Sequence, residues 1–286
     1  MTPDGAGSGV VAAAQLRTGD LLLIRRRGDL AALTAWFGDS DYDHVALIGR
    51  AGCVLEFAAD GVSEPGLNEY LRAPDLLVVD ARRPLAGQGE VLQDNDRIAV
   101  LAHALSLRRP HFAGDPLRAL GVLAALRERE LPPQPPLRRV LHEALLRVAN
   151  SGAEAMTASE FVYRCFAESP VQPRGRLAPQ LLPSSPRALA FPAIEWAALW
   201  SQIAPWLPEG RREVPDFEGD APIDAAALEQ ALIAARSRLG LLARGAGLLA
   251  AAPRAASPKW LRLRELELSP SQQPLGRLFQ AAQSTN

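Results

Sequence analysis

Histidine is scarce in this chain: His44, His103, His111 and His142 are its only imidazoles. His44 opens the run Asp43-His44-Val45-Ala46-Leu47-Ile48, and a glutamate follows at position 56 in Cys53-Val54-Leu55-Glu56-Phe57. A carboxylate held against an imidazole orients the ring and stabilises its charged form, which is what a general base requires. A second segment, Met156-Thr157-Ala158-Ser159-Glu160-Phe161-Val162-Tyr163, has Thr157 three residues before Glu160, the pattern of a capping box. A helix starting there makes position 158 its first residue, where unpaired backbone N–H groups and the positive end of the dipole converge. A cysteine thiolate would be stabilised there and an oxyanion bound. The residue is alanine, which carries no nucleophile.

The remaining reactive side chains are poorer candidates. Cys165 is seven residues from position 158, on nearly the same helical face but about 10 Å along the axis, out of reach of the same imidazole. It reads as a small buried apolar residue. Ser159 is about 100° around the helix and is a poor substitute nucleophile. Cys53 alternates away from Val54 and Glu56 and reads as core. His103, His111 and His142 show no metal-ligand spacing, and two cysteines are too few for a disulfide scaffold or a cysteine-based zinc site. No metal or organic cofactor is implied. For His44 itself the plainer alternative is a strand-edge histidine beside Asp41 and Asp43. For the segment around position 158 it is an ordinary capped helix.

The elements that would position these groups can be read from periodicity. Leu21-Leu22-Leu23-Ile24, after a Gly19-Asp20 turn, is a short apolar run expected to be a buried strand. Asp29 to Phe37 has helical spacing and stops at Gly38. The runs 45–48 and 53–57 flank Arg50-Ala51-Gly52, which predicts a hairpin with Gly52 left-handed. In that register even-numbered positions share a face, so His44 and Glu56 become diagonal cross-strand neighbours; a one-residue slip would separate them. Pro65 to Leu71 suggests a short helix and Leu76 to Asp80 a strand. Helical periodicity then dominates residues 91–107, 116–129, 137–149 and 157–168, with Pro132 to Pro136 expected to break two of these apart. A Pro-rich stretch runs to about residue 192. Helical stretches follow at 193–203 and 224–250, and Trp260 to Leu266 is the last strand candidate.

The chain has 286 residues and a formal net charge of −1, so no global field points to nucleic acid or an acidic membrane. Lys259 is its only lysine, a bias to arginine that reads as a GC-rich coding sequence, with RNA recognition as the lesser alternative. No stretch approaches the ~20 apolar residues of a membrane span. Met1 to Ala14 lacks the basic and apolar regions of a signal peptide. The expectation is a cytoplasmic protein with a loose tail over residues 1–14 and one domain over 15–286.

Taken in order, the motifs resemble a known family. They are Thr18-Gly19-Asp20 before a strand, Asp43-His44-Val45-Ala46-Leu47-Ile48, Val54-Leu55-Glu56-Phe57, and Thr157-Ala158-Ser159-Glu160-Phe161-Val162-Tyr163. They are similar to those of the permuted papain-like amidohydrolases, the YiiX/YebB-like branch of the NlpC superfamily, to which the lecithin-retinol acyltransferases are more distantly related. Arg109-Pro110-His111-Phe112 through Asp115 resembles that family's Pro-Tyr-Asp segment. Ser269-Pro270 and Gly276-Arg277-Leu278 resemble its ending. The similarity covers about residues 15–170 and 260–278, leaving 116–150 and 193–256 as helical insertions.

What the resemblance implies is an α+β, circularly permuted papain-like fold, in which a small antiparallel sheet packs on a nucleophile-bearing helix. It implies His44 as general base, Glu56 as its orienting partner and position 158 as the site of a nucleophilic cysteine. Ser159, Asp43 and Tyr163 become candidates for substrate or oxyanion contacts. The activity implied is hydrolysis or acyl transfer at an amide, ester or thioester of a peptide-like, N-acyl or lipid substrate. Ala158 is either an introduced substitution of a catalytic cysteine or the residue of a natural pseudoenzyme that binds without turnover. The intact Ser-Glu-Phe-Val-Tyr context, with His44 and Glu56 retained, favours the first. Either way this Ala158 sequence is expected to be inactive. Peripheral membrane contact through residues 224–252 is a further expectation, from Leu239 to Leu242, Leu248 and Leu249 with Arg236, Arg238 and Arg244 nearby. A helix simply packed on the domain is its plainer alternative.

Overall fold

The computed structural model describes residues 9–58, 61–107, 115–127, 133–152, 155–182, 187, 189–241 and 258–282. Its apolar runs assemble into six strands: β1 (Leu21–Arg26), β2 (His44–Ile48), β3 (Val54–Ala58), β4 (Gly61–Ser63), β5 (Leu76–Pro84) and β6 (Gln272–Gln280). They form one sheet in the order β4-β3-β2-β1-β5-β6, each neighbour antiparallel to the next. Successive side chains leave a strand on opposite faces. Odd-numbered Leu21, Leu23, Val45, Leu47, Leu55 and Phe57 enter one core, and even-numbered Leu22, Ile24, Ala46, Ile48 and Val54 enter another. Burial of both faces explains why these strands read as continuous apolar runs.

Helices α3 (Asp94–Ser106), α6 (Ala158–Ala167) and α9 (Leu263–Glu267) close the odd-numbered face. The short α2 (Leu67–Tyr70) closes the even-numbered one. A third core is wholly helical. It joins α1 (Asp29–Phe37), α4 (Pro116–Leu126), α5 (Pro135–Ala149), α7 (Trp196–Ile203) and α8 (Ala225–Arg238). Leu33 and Phe37 on one side of α1 belong to it. Both stretches set apart as insertions, 116–150 and 193–256, therefore contribute to one helical layer, and α1 ties that layer to β1. Gly121 is required where α4 crosses α5: a Cβ there would lie 2.2 Å from the carbonyl oxygen of Ala144.

The fold class is α+β, and most elements fall where periodicity places them. Four details differ. Trp260 to Leu266 is not a strand: Pro258–Trp260 is a 3-10 turn and α9 follows. The apolar alternation there is short, Leu263 and Leu266 are buried three residues apart, and Glu265 accepts from the Arg262 N–H at 2.9 Å, a helix-start bond. The last strand is instead β6, which Pro274 and Gly276 disguise. It is an edge strand, where proline is tolerated. α4 and α5 are separate helices as the proline run predicts, but α5 begins at Pro135 and not at 137, because a proline's fixed φ suits a helix's first turn. Finally, the tail expected over residues 1–14 is anchored from residue 9: Val11 N–H donates to Arg277 at 3.0 Å, Arg277 N–H donates to Gly9 at 2.9 Å, and Val11 is buried.

No helix among the described residues is long and apolar enough to cross a membrane. In α8, Leu228, Ala231 and Ala235 face the helical core. Arg236 donates to the carbonyls of Ala125 and Arg127, and Arg238 to that of Ser151. The arginines that could have served a membrane surface are thus bonded to backbone. Arg244, Leu248 and Leu249 lie outside the described residues.

Candidate active site

The β2–β3 hairpin decides whether His44 and Glu56 can meet. Gly49 N–H bonds to Cys53 O at 2.8 Å, and both Ala51 (φ +48°) and Gly52 (φ +74°) are left-handed. The resulting register pairs Leu47 with Leu55 and Ile48 with Val54. It puts Ala46 across from Glu56 and His44 on the diagonal. His44 Nε2 lies 3.1 Å from Glu56 Oε1, an ion-pair separation. The approach lacks hydrogen-bond alignment, since Nε2 is buried with no hydrogen-bond partner.

Two further residues hold Glu56. Arg26, at the end of β1, bonds its guanidinium to Glu56 Oε1, and its Nη2 also donates to the Tyr70 hydroxyl at 3.0 Å. Tyr70, on α2, donates to the same Glu56 oxygen at 3.2 Å. Burial by itself would raise the Glu56 carboxyl. The adjoining His44 imidazole and the Arg26 guanidinium outweigh burial and hold it at about 2. Burial pushes the Tyr70 hydroxyl up. It also pushes up the Asp43 carboxyl, although Asp43 Oδ1 accepts from the Arg26 backbone N–H at 2.7 Å. The sequence reading did not include Arg26 or Tyr70. Arg26 could have been found by parity, because even-numbered residues of β1 share the face of His44. Tyr70 comes from another element and carries no local signal.

On α6, Thr157 caps the helix by accepting from the Glu160 N–H at 3.2 Å. The reciprocal half of the capping box is not made: Glu160 is buried, and neither of its carboxylate oxygens has a hydrogen-bond partner. Burial pushes that carboxyl up. The N–H groups of Ala158 and Ser159 stay outside the helix's own ladder. Behind them Phe161 stacks on Phe57 of β3, with ring centroids 5.4 Å apart. This packing fixes the start of α6 against the strands.

His44 and Glu56 share their face with the residues that pack on α2, opposite the face that α6 covers. His44 is the first residue of β2 and Glu56 the central residue of β3. Both nonetheless share a cleft of about 420 Å³ with the α6 N-terminus, and His44, Glu56, Asp43, Ala158 and Ser159 all line it. Tyr163 does not; it packs half-buried against the sheet-side core.

The other candidates lie elsewhere. Cys165 is fully buried, and burial pushes its thiol well up. Cys53 is half-buried in the strand pairing opposite Gly66. His103 sits 3.6 Å from Glu168, and His142 3.7 Å from Glu143. His111 lies outside the described residues. Among the described residues, no group of three or more His, Cys, Asp or Glu is arranged to hold a metal ion. No protein-family model matches the chain, and no curated protein matches it either.

Proposed function

We propose that the chain carries the acyl-transfer site of a permuted papain-like, NlpC-type thiol hydrolase or acyltransferase, present here without its nucleophile. The observation that supports this reading most is the convergence of His44, Glu56 and the first residue of α6 on one cleft. With a cysteine at position 158, His44 takes the thiol proton and the sulfur attacks a carbonyl carbon. A C–S bond forms, the bond to the amine, alcohol or thiol leaving group breaks, and that group departs with the proton from His44. Helix-start N–H groups hold the carbonyl oxygen while it carries charge. Water or an acceptor then attacks the thioester, passes its proton to His44 and restores the thiol. Glu56, kept ionised by Arg26, orients the imidazole through this cycle. The Ala158 chain binds substrate and stops there.

The test is intact-protein mass spectrometry of Ala158→Cys after incubation with a panel of acyl thioesters and acyl amides. The expected result is one acyl adduct on the introduced thiol, lost when His44→Ala is added. A folded Ala158→Cys protein that takes up no acyl group from any member would overturn the catalytic reading.

A second reading, a binding protein on the same scaffold, is favoured by one observation. Glu56 Oε1 is shared with Arg26 and Tyr70, and His44 Nε2 faces it without alignment. A site that only binds has no need of an aligned base. In that case the Ala158→Cys protein would bind the same ligands as the Ala158 chain and form no adduct.

A further inference from the structure

The catalytic groups occupy only one side of the cleft. The other side is built by α1 and α4, the helices that join the sheet to the helical layer. On α1, Leu30, Ala31 and Thr34 line the cleft, while Leu33 and Phe37 turn away into the helical core. On α4, Ala119, Val122 and Leu123 line it, Val122 also belonging to the helical core into which Leu117, Leu120 and Ala124 turn. Positions three and four apart lie on one face of a helix, so each helix presents a stripe to the cleft. The stripes are apolar apart from Thr34, whose hydroxyl is engaged with the Leu30 carbonyl at 2.8 Å.

The cleft is graded from end to end. Arg27 and Gln202, which are exposed, mark its solvent edge. Val122, Met156, Leu261 and Leu263, which are buried, mark its inner end. None of these four side chains carries a charge, and the buried Asp115, which also lines the cleft, already accepts from the Arg118 N–H and from Arg147. A peptide there would leave amide groups buried without partners, which is costly. A hydrocarbon chain meets no such cost and gains from each buried CH₂.

We infer that the cleft holds an unbranched aliphatic acyl chain along the wall that α1 and α4 form, with its carbonyl at position 158, and that Ala31 and Ala119 set the depth available to it. The carbonyl placement rests on the acyl-transfer reading above; the chain-binding surface does not. The small side chains at 31 and 119 are the places where added bulk would close the channel without touching His44, Glu56 or α6.

The experiment uses the Ala158 chain itself and parinaric acid, a straight-chain fatty acid whose fluorescence rises in apolar surroundings. Binding is expected, with displacement by palmitate far better than by hexanoate. Ala31→Trp and Ala119→Trp, from the two helices of that wall, should each weaken it by about tenfold or more and shift preference toward shorter chains. Ile233→Ser, at an exposed position on α8, should leave it unchanged. Circular dichroism identifies a variant that fails to fold, and the tryptophan on the other helix then carries the test. No binding by the Ala158 chain, or binding indifferent to both tryptophans, overturns the inference. Acylation of Ala158→Cys by acetyl thioesters with no parinaric acid binding would remove the acyl-chain inference and leave the catalytic reading standing. Binding that obeys both tryptophans, with no acylation of Ala158→Cys by any thioester, would do the reverse.

Discussion

The sheet region and the helical layer line the same cleft and differ in what their buried charges touch. Around the sheet, charges are buried in pairs. Asp20 is fully buried between Arg83 and Arg97; Glu56 is gripped by Arg26; Asp80 is bound by Arg277 and by Tyr42. The helical layer also buries charged groups in pairs, Asp115 with Arg147 and Glu143 with Arg211, around a centre of closely packed Leu, Ala and Val in which Gly121 lets two backbones touch. Burying charge is costly unless partners are placed well, so it persists where geometry or chemistry requires it. In the sheet half one such pair, Glu56 with Arg26, is the one that meets His44. The pairs Asp115–Arg147 and Glu143–Arg211 of the helical half do not, and what α1 and α4 give the cleft is mostly apolar shape, with Asp115 the charged exception.

The contrast can be broken by substitution. The largest effect is expected from Asp20→Ala, which strands Arg97, only 4% exposed, with the Thr18 carbonyl as its remaining partner. Loss of one member of a buried pair should cost about 3–5 kcal/mol in urea unfolding. A cost smaller than that of Gly121→Ala would erase the distinction between the two regions.

Glu56→Gln comes next, on the order of 3 kcal/mol at neutral pH, because the carboxyl is held at about 2 against about 4.3 in an unfolded chain. A depressed carboxylate stabilises the fold above its unfolded value. That stability drains away as pH falls from about 4.3 towards 2. The difference between the parent chain and Glu56→Gln should therefore shrink across that window. Asp43, whose carboxyl burial raises, acts in the opposite sense, so the difference between the two proteins is the quantity to measure. A difference that stays constant with pH would mean Glu56 is held by packing.

Gly121→Ala should cost about 1–3 kcal/mol, since the added methyl must push α4 off Ala144. That cost should be the same at acid and neutral pH, and this independence sharpens the contrast. The smallest effect is expected from Thr157→Ala. It removes the side-chain cap of α6 and should lower the midpoint by an amount equivalent to about 1 kcal/mol. An unchanged midpoint would show that packing of Phe161 on Phe57 alone sets where α6 begins.

The two regions also differ in how much of them could be read in advance. Sheet positions were legible because local rules decide them: a Gly-Asp turn before β1, left-handed Gly52 in the hairpin, and alternation placing His44 and Glu56 on one face. Thr157 announced the start of α6 in the same way. The helices of the outer layer were legible one at a time from their periodicity. Their assembly was not, because nothing in residues 116–150 says which stripe meets 193–241. Arg26 and Tyr70 were missed for a related reason. They reach Glu56 from other elements, so their role exists only after the sheet and α2 have come together. β6 was hidden by Pro274 and Gly276, residues that an edge position permits and a sequence rule penalises.

The position of β6 has a consequence for biosynthesis. Val79 pairs with Phe279, and Arg83 with Gln273, so one edge of β5 must wait for residues near 280 before its peptide groups find partners. On the ribosome the first five strands and α1 to α9 can emerge while that edge remains open to any passing extended chain. Cutting the chain before Gln272 would make this temporary exposure permanent. Such a fragment should keep His44, Glu56 and α6 and still be lost to aggregation, for want of a strand that contributes nothing to the site.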